Sequence, residues 1–318
     1  VMGAKLKPVV YIVGPTAGGK TALSVQLAQR FGGEIICGDS MQIYRNMPIA
    51  TAAPTKSEKA AVPHRLFEFL NPAEGYSVSR YVADAKREIN AVHAAGHLPF
   101  VVGGTGLYIQ SLAENVQFGP EEQNGAVRAH LQSQALQNGT APLYARLQQC
   151  DSAAAEKINP NDQKRIIRAL EVFETTGERI SERAARSKAA GQLYRNLVIG
   201  VFFKNRELLY SRINDRVEQM LQNGLLQEAA AAGKAGPTAC QAIGHKELFA
   251  ALQGQEELST AVERLKQQTR RYAKRQITWF SKMPGLHPIY MDESPDPFLQ
   301  AAALVGDFLK EENEAREP

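Results

Sequence analysis

The run VVYIV at residues 9–13 passes directly into Gly14, Pro15, Thr16, Ala17, Gly18, Gly19, Lys20 and Thr21, and this junction constrains the fold more than any other stretch. Five consecutive apolar residues, mostly β-branched, read as a strand buried on both faces. The octet fits GxxxxGK[ST], and residues 21–30 continue with the apolar spacing of a helix up to Gly32 and Gly33. Strand, glycine-rich turn and helix in that order make a phosphate-binding loop. Its glycines let successive backbone N–H groups converge on an anion, and the helix adds the positive end of its dipole. The Lys20 ammonium is placed to meet terminal phosphates, and the Thr21 hydroxyl to ligate Mg²⁺. Gly14, Thr16, Ala17, Gly18, Gly19, Lys20 and Thr21 are therefore expected to hold a nucleotide or another pyrophosphate compound. The loop identifies a ligand class and leaves the reaction open.

Residues 34–37 and 99–102 read as further strands, 66–70 as a candidate fourth, and 78–95 as a helix leading into 99–102. Strands alternating with helices imply a parallel sheet covered on both faces. After Asn115 the strand signals cease, and alanine, glutamine and charged residues dominate to about Arg195. Residues 197–203 return the chain to the sheet, long helices follow over 206–232 and 258–280, and the tail at 311–318 is charged. The expected architecture is α/β: a P-loop NTPase-like parallel sheet flanked by helices (residues 1–116 and 197–318) with an all-helical inserted domain (117–196). A chain of 318 residues, 44% hydrophobic and 22% charged, can bury such a core and is not a disordered polymer. Cys37, Cys150 and Cys240 lie far apart with no CxxC pair, which argues against disulfides and zinc and for a reducing cytoplasm. The apolar run at 9–13 is too short to cross a bilayer and reads as a strand rather than a signal peptide.

Asp39, Ser40, Met41 and Gln42 follow the second strand at the carboxyl edge of the sheet, where open α/β folds bind ligands. A carboxylate there can take a proton from an acceptor; Asp and Ser are equally favoured as turn and cap residues. Gly103, Gly104, Thr105 and Gly106 leave the third strand in the same way, either to admit a ligand to the backbone or as a plain turn. Arg212 and Arg216 share a helix face and could clamp an anion, or belong to an ordinary salt-bridged surface. The cluster from Gln163 to Arg168 reads, by itself, as a solvated face. Between residues 262 and 282 stand seven Lys or Arg against the single acid Glu263, whereas the whole chain carries a net charge of only +4. Arg264, Arg271, Arg275 and Lys282 recur at helical spacing with Leu265, Tyr272 and Trp279 between them, so one face can meet phosphates while another packs. A nucleic-acid partner follows from that concentration of charge.

GPTAGGKT, DSMQIYRNMPIATAAPT (39–55), VGGTGLYI (102–109), NDQKRIIRALEV (161–172), QAIGHKE (241–247) and YAKRQITWF (272–280) occur in this order. Together they resemble the tRNA dimethylallyltransferases, along nearly the whole chain. The resemblance is to the bacterial type, without the C-terminal zinc finger of eukaryotic relatives. It implies transfer of a dimethylallyl group from dimethylallyl diphosphate to N6 of the adenine 3′ of the anticodon. The implied fold is a P-loop core with a helical insertion, gripping the tRNA anticodon stem-loop between them. Residues Thr16 to Thr21 would hold the diphosphate with Mg²⁺, Asp39 would be the base, Thr105 would lie near the reacting groups and Arg216 would bind diphosphate. The tRNA contacts implied are Asp39, Ser40, Met41 and Gln42; Gln163, Lys164, Arg165, Ile166 and Ile167; Gln241, Ala242, Ile243, Gly244 and His245; and Arg271, Lys274, Arg275 and Gln276. A monomer is expected. The sequence departs from the family pattern at Gly19, where serine is usual, at Ala50 and Ala53, where glycine and lysine are common, at Arg65, which replaces a second histidine, and at His245, where tyrosine is usual.

Two other readings use the same features. A small-molecule or nucleoside kinase would need the same loop and a carboxylate after the second strand, but would leave the basic helix and the insertion without a purpose. A nucleotide-gated RNA-binding protein would use the helix and catalyse no bond chemistry.

Overall fold

The computed structural model describes residues 6–119, 125–231, 236, 239 and 242–314, with side chains given up to residue 310. The chain forms two compact units, one of Val1–Ala113 with Tyr194–Pro318 and the other of Glu114–Leu193.

The first unit is built on six strands, β1 (Pro8–Val13), β2 (Gly33–Cys37), β3 (His64–Arg65), β4 (Leu98–Gly103), β5 (Arg195–Phe202) and β6 (Leu286–Tyr290). They pair in the order β3-β2-β4-β1-β5-β6, and every pairing is parallel. Central strands of such a sheet are covered twice, and β1 accordingly has Val9 to Val13 fully buried. Val10, Ile12, Ile35, Phe100, Ile199 and Val201 pack with Leu23, Leu27 and Ala28 of the helix Lys20–Phe31 and with Ala301, Val305 and Phe308 of the helix Pro297–Glu314. The helix Val78–Ala94 also lies against the sheet and buries Tyr81, Val82, Ala85, Ile89 and Val92 at spacings of one helical turn.

Two sequence expectations are corrected here, and one strand was missed. Residues 66–70 do not form a strand: Leu66 and Glu68 have φ of 61° and 48°, which extended backbone does not tolerate, and only Leu70 makes an isolated parallel bridge, to Tyr44. The helix expected over 206–232 is two helices, Arg206–Gln222 and Leu225–Ala231, because Gly224 takes φ 98° between them. Strand β6 escapes the pattern because His287 and Pro288 interrupt it, and its place at the sheet edge makes the proline admissible.

The second unit is helical, and its core joins Leu131, Leu143, Leu147, Ile166, Ile167 and Leu170 from three of its helices. The helix Gln163–Thr176 is capped by Asp162, whose side chain accepts the Arg165 amide, and ends at Gly177 in the left-handed region. Buried Glu171 is neutralised by Arg128 and Arg168, whose guanidinium groups hold its carboxyl below the usual range against the upward push of burial.

Candidate active site

Val13 ends β1 paired with Gly103, the last residue of β4, on one side and with Gly200 on the other, so β1 and β4 finish level at their carboxyl ends and β5 runs on to Phe202. Ligand sites in open parallel sheets form at that edge. Gly14 turns away at φ 144°, and a Cβ there would lie 2.3 Å from the Val201 carbonyl oxygen, so glycine is required. The loop closes with a hydrogen bond from Gly18 N to Pro15 O (3.2 Å) and delivers the chain into the helix at Lys20. Lys20 Nζ folds back to donate to Gly14 O (3.0 Å) and Pro15 O (2.8 Å). Burial pushes the Lys20 pKa down from 10.5 to about 8; the charge of Asp39 opposes this and that of Arg216 adds to it.

Asp39 follows β2 and its Oδ1 accepts the Met41 amide at 2.9 Å. The turn role and the site position are thus both present in one residue. Thr105 stands behind it: Thr105 Oγ1 accepts the Ser40 amide (2.8 Å) and donates to Ser40 Oγ (3.1 Å). Arg216 is half-buried, and its charge interacts with Asp39 and Glu58 while burial pulls its pKa down. Arg212, one turn earlier, is exposed, donates from Nε to Ala17 O (3.1 Å) and lies over the Phe203 ring.

Thr16 to Thr21, Asp39, Ser40, Met41, Gln42 and Arg216 all line one cavity of about 1190 Å³. Its wall also includes Ile49, Ala50, Ala52, Ala53, Val217, Met220, Ala242, Ile243 and Leu265, an apolar arm beside the phosphate loop. Tyr272, Arg275 and Gln276 close another side. The site therefore offers a diphosphate cradle with Lys20 and Arg216, the Asp39 carboxylate and an apolar recess, and further charged side chains, Glu58, Asp215 and Arg275 among them, line the same cavity.

The Gly103–Gly106 turn packs closely against protein, and Gly103 also lines the cavity. A Cβ at Gly103 would sit 2.1 Å from Gly38 backbone atoms, at Gly104 2.2 Å from Gln276 Nε2, and at Gly106 2.5 Å from the Trp279 ring. These glycines serve close packing of protein against protein.

The basic helix Leu258–Phe280 divides its charges. Arg264 pairs with Glu256, Lys266 with Glu218 and Glu263, and Arg270 donates to Asn214 Oδ1 (2.6 Å). Arg271, Lys274, Arg275 and Lys282 are exposed and, with Gln110, Thr278, Trp279 and Met283, line a second recess of about 660 Å³. Arg264 is thus tied into the fold and does not continue the exposed face of Arg271, Arg275 and Lys282.

Several residues expected at an RNA surface are placed inside. Ile166 and Ile167 are core residues of the helical unit, which leaves Gln163, Lys164 and Arg165 exposed. Gly244 is buried, and Gln241 lies outside the described residues. His245 is buried with its Nε2 3.2 Å from Glu228 Oε1. Glu228 was not singled out by sequence reasoning. Its carboxylate accepts Ile49 N and Ala50 N, both at 2.8 Å, which are the orphan donors of the short helix Pro48–Thr51. The available signal was Met47, a residue that cannot cap a helix, placed just before Pro48. Gln276, which directly follows the exposed Lys274 and Arg275, is only 4% exposed.

The chain matches the family model described as IPP transferase over residues 42–283 and that described as isopentenyl transferase over residues 7–67. It is 44% identical over 290 residues to the tRNA dimethylallyltransferase of Caldanaerobacter subterraneus, covering 90% of this chain and 92% of the relative. It is 45% identical over 277 residues to that of Bacillus subtilis, covering 86% and 88%. The crystal structure of the full-length tRNA isopentenylpyrophosphate transferase from Bacillus halodurans superposes with a TM-score of 0.73 at 38% identity, over 99% of this chain and 100% of that one. A eukaryotic dimethylallyltransferase solved acting on tRNA superposes with a TM-score of 0.80 at 31% identity, over 96% and 80%. With a family match across most of its length and relatives of this identity and coverage, the chain belongs to the tRNA dimethylallyltransferase family of IPP transferases.

Proposed function

We propose that the protein transfers a dimethylallyl group from dimethylallyl diphosphate to N6 of the adenine 3′ of the anticodon in tRNA, with release of diphosphate. The observation that carries this reading is the single cavity in which the phosphate loop, Lys20, Arg216 and Asp39 converge beside a basic helix. The allylic C–O bond breaks with its electron pair passing to the diphosphate, whose charge Lys20, Arg216 and the loop amides neutralise from fixed positions. The N6 lone pair forms the new C–N bond. That amine is a weak nucleophile because its lone pair is delocalised into the ring, so loss of its proton must accompany bond formation. Asp39 Oδ1 is held by the Met41 amide, and Oδ2, beside Gly104, takes the proton. Thr105 holds Ser40, the residue after the base, and acts on its placement.

The residues fit Mg²⁺ as a companion of the diphosphate. Thr21 places a hydroxyl on the cavity wall next to Lys20, and no group of three or more metal-ligating side chains stands among the described residues. That donor set suits an ion that draws most ligands from phosphate oxygens and water. Bound there, the ion supplies additional charge neutralisation for the leaving diphosphate.

The apolar arm formed by Ile49, Ala50, Ala53, Val217, Met220 and Leu265 suits a branched five-carbon chain. Arg271, Lys274 and Arg275 meet RNA phosphates, Trp279 offers a ring for base stacking, and the helical unit offers Gln163, Lys164 and Arg165 to the RNA. An adenine in a single-stranded loop costs little to extrude into the cavity. No helix among the described residues is long and apolar enough to cross a membrane.

Incubation with tRNA and labelled dimethylallyl diphosphate in the absence of ATP tests the reading. Label in tRNA with matching diphosphate release is the expected result. ATP consumption with no label incorporated overturns it in favour of a kinase.

A further inference from the structure

Gln276 lies in the last two turns of the basic helix, yet its side chain points away from the exposed Arg271 and Lys274 and is 4% accessible. Its Oε1 accepts the Thr16 amide at 2.9 Å, and its Nε2 donates to the Gly104 carbonyl at 2.9 Å. One amide thus joins the phosphate loop to the turn after β4. The fit is tight: a Cβ at Gly104 would approach Nε2 to 2.2 Å, so the bridge requires glycine there. Tyr272, one turn earlier, stands close enough to Thr105 and Gln276 for both to favour its ionised form, against the larger upward push of burial. Thr105 in turn holds Ser40 beside Asp39. Every polar atom of the Gln276 amide is engaged, and a buried amide that loses partners costs more than the bonds themselves gain in water. The helix cannot shift relative to one loop without disturbing the other.

Arg271 and Lys274 stand on the far side of the same turns, with Arg275 and Trp279 flanking them. A polyanion seated on them bears on a helix whose inner edge is bolted to the donor loop and to the turn behind the base. We propose that Gln276 is a positioning residue that couples RNA bound on this helix to diphosphate bound in the phosphate loop, so that each ligand tightens the other. The inference rests on the proposed transferase function and adds to it a thermodynamic link between the two substrates. Such a link is reciprocal, so either ligand can be titrated to read it.

The test is a binding cycle with inorganic pyrophosphate plus Mg²⁺ and an anticodon stem-loop RNA, run on the full chain. In the wild type, saturating RNA lowers the pyrophosphate Kd by roughly 10-fold, within the range usual for coupled sites. In Gln276→Met, which keeps the length and lacks the amide, the factor falls to about 2 or less, while the Kd for RNA alone stays within about 2-fold of wild type. Gln276→Asn keeps the amide and is too short to bridge; it gives the same loss, and it decides the matter if the Met variant fails to fold. A merely structural role would lower the melting temperature and leave the coupling factor unchanged. Coupling retained in the variants, or absent from a wild type that binds both ligands, overturns the inference. Loss of RNA affinity by itself would make Gln276 an RNA contact and overturn it equally. A wild type that binds pyrophosphate and no RNA would instead sink the transferase reading.

Discussion

Raising the pH should weaken donor binding through one identifiable group. Lys20 has its pKa pushed down to about 8 in the empty protein, chiefly by burial. A bound diphosphate favours the charged ammonium and returns the pKa toward the ordinary 10.5 or above. Binding therefore takes up a proton once the pH exceeds about 8, and affinity falls with a slope approaching one log unit per pH unit. At pH 9 the loss is roughly 10-fold relative to pH 7, and at pH 9.5 roughly 30-fold. The sign for stability is the reverse. The folded pKa is below the unfolded one, so the empty fold gains from Lys20 as pH rises between about 8 and 10.5. Calorimetric titration of a non-reactive dimethylallyl diphosphate analogue from pH 7 to 9.5, without tRNA, measures the effect free of nucleobase ionisation. Lys20→Arg, which stays charged throughout, should bind with a flat profile over this window. A wild-type affinity that does not change between pH 7 and 9.5 would show that the ammonium is not the group that meets the diphosphate.

Asp39→Asn should lower kcat by about 10²–10⁴, the range for a lost general base, while donor affinity holds; near-normal single-turnover rates with a lower melting temperature would reduce Asp39 to a turn residue. Arg271→Ala and Arg275→Ala should each reduce the slope of log K against log salt for tRNA binding by about 0.7 to 0.9, with turnover at saturating tRNA little changed; unaltered slopes would assign that helix face to folding. His245→Ala should cost about 1–3 kcal/mol of stability, because it removes a partner from buried Glu228, with little effect on the tRNA Kd; a stable variant with a large loss of tRNA affinity would return His245 to the RNA surface.

The parts legible in the sequence were those with strong local chemistry. The phosphate loop declares itself because Gly14 sits at a φ of 144°, which side chains other than glycine rarely adopt. Strands β1, β2, β4 and β5 were readable because their burial on both faces leaves almost unbroken apolar runs. Strand β3 spans two residues and β6 contains a proline, and neither carries a periodic signal. Charge was legible as an excess but not as a distribution: nothing local to Arg264 or Lys266 says that Glu256 and Glu218 neutralise them. Likewise the inward aim of Gln276 depends on the rotation of a helix against two loops more than 170 residues away in sequence. Asp39 could be placed at the edge of the sheet, yet its simultaneous use as a turn former and a cavity carboxylate needed coordinates.

The sheet order also governs how the protein is made. Strand β1 is synthesised before every other strand of the sheet and is flanked by β4 and β5, and Pro8 pairs with Arg195. At ribosomal speeds of about 5–20 residues per second, that partner is roughly 10–40 s behind. Throughout this interval an edge of the wholly apolar stretch at residues 9–13 has no neighbour, the kind of exposed strand that recruits other chains. The helical unit emerges during the same wait and carries a core of its own, so it can collapse locally while the sheet stands open. Asn196 then fastens the returning strand, its Nδ2 donating to the Ala113 carbonyl at 2.9 Å on the far side of the insertion. Completion of the donor loop is thereby deferred: Gly14 packs against Val201, so a nascent chain gains its diphosphate cradle only once β5 has left the ribosome.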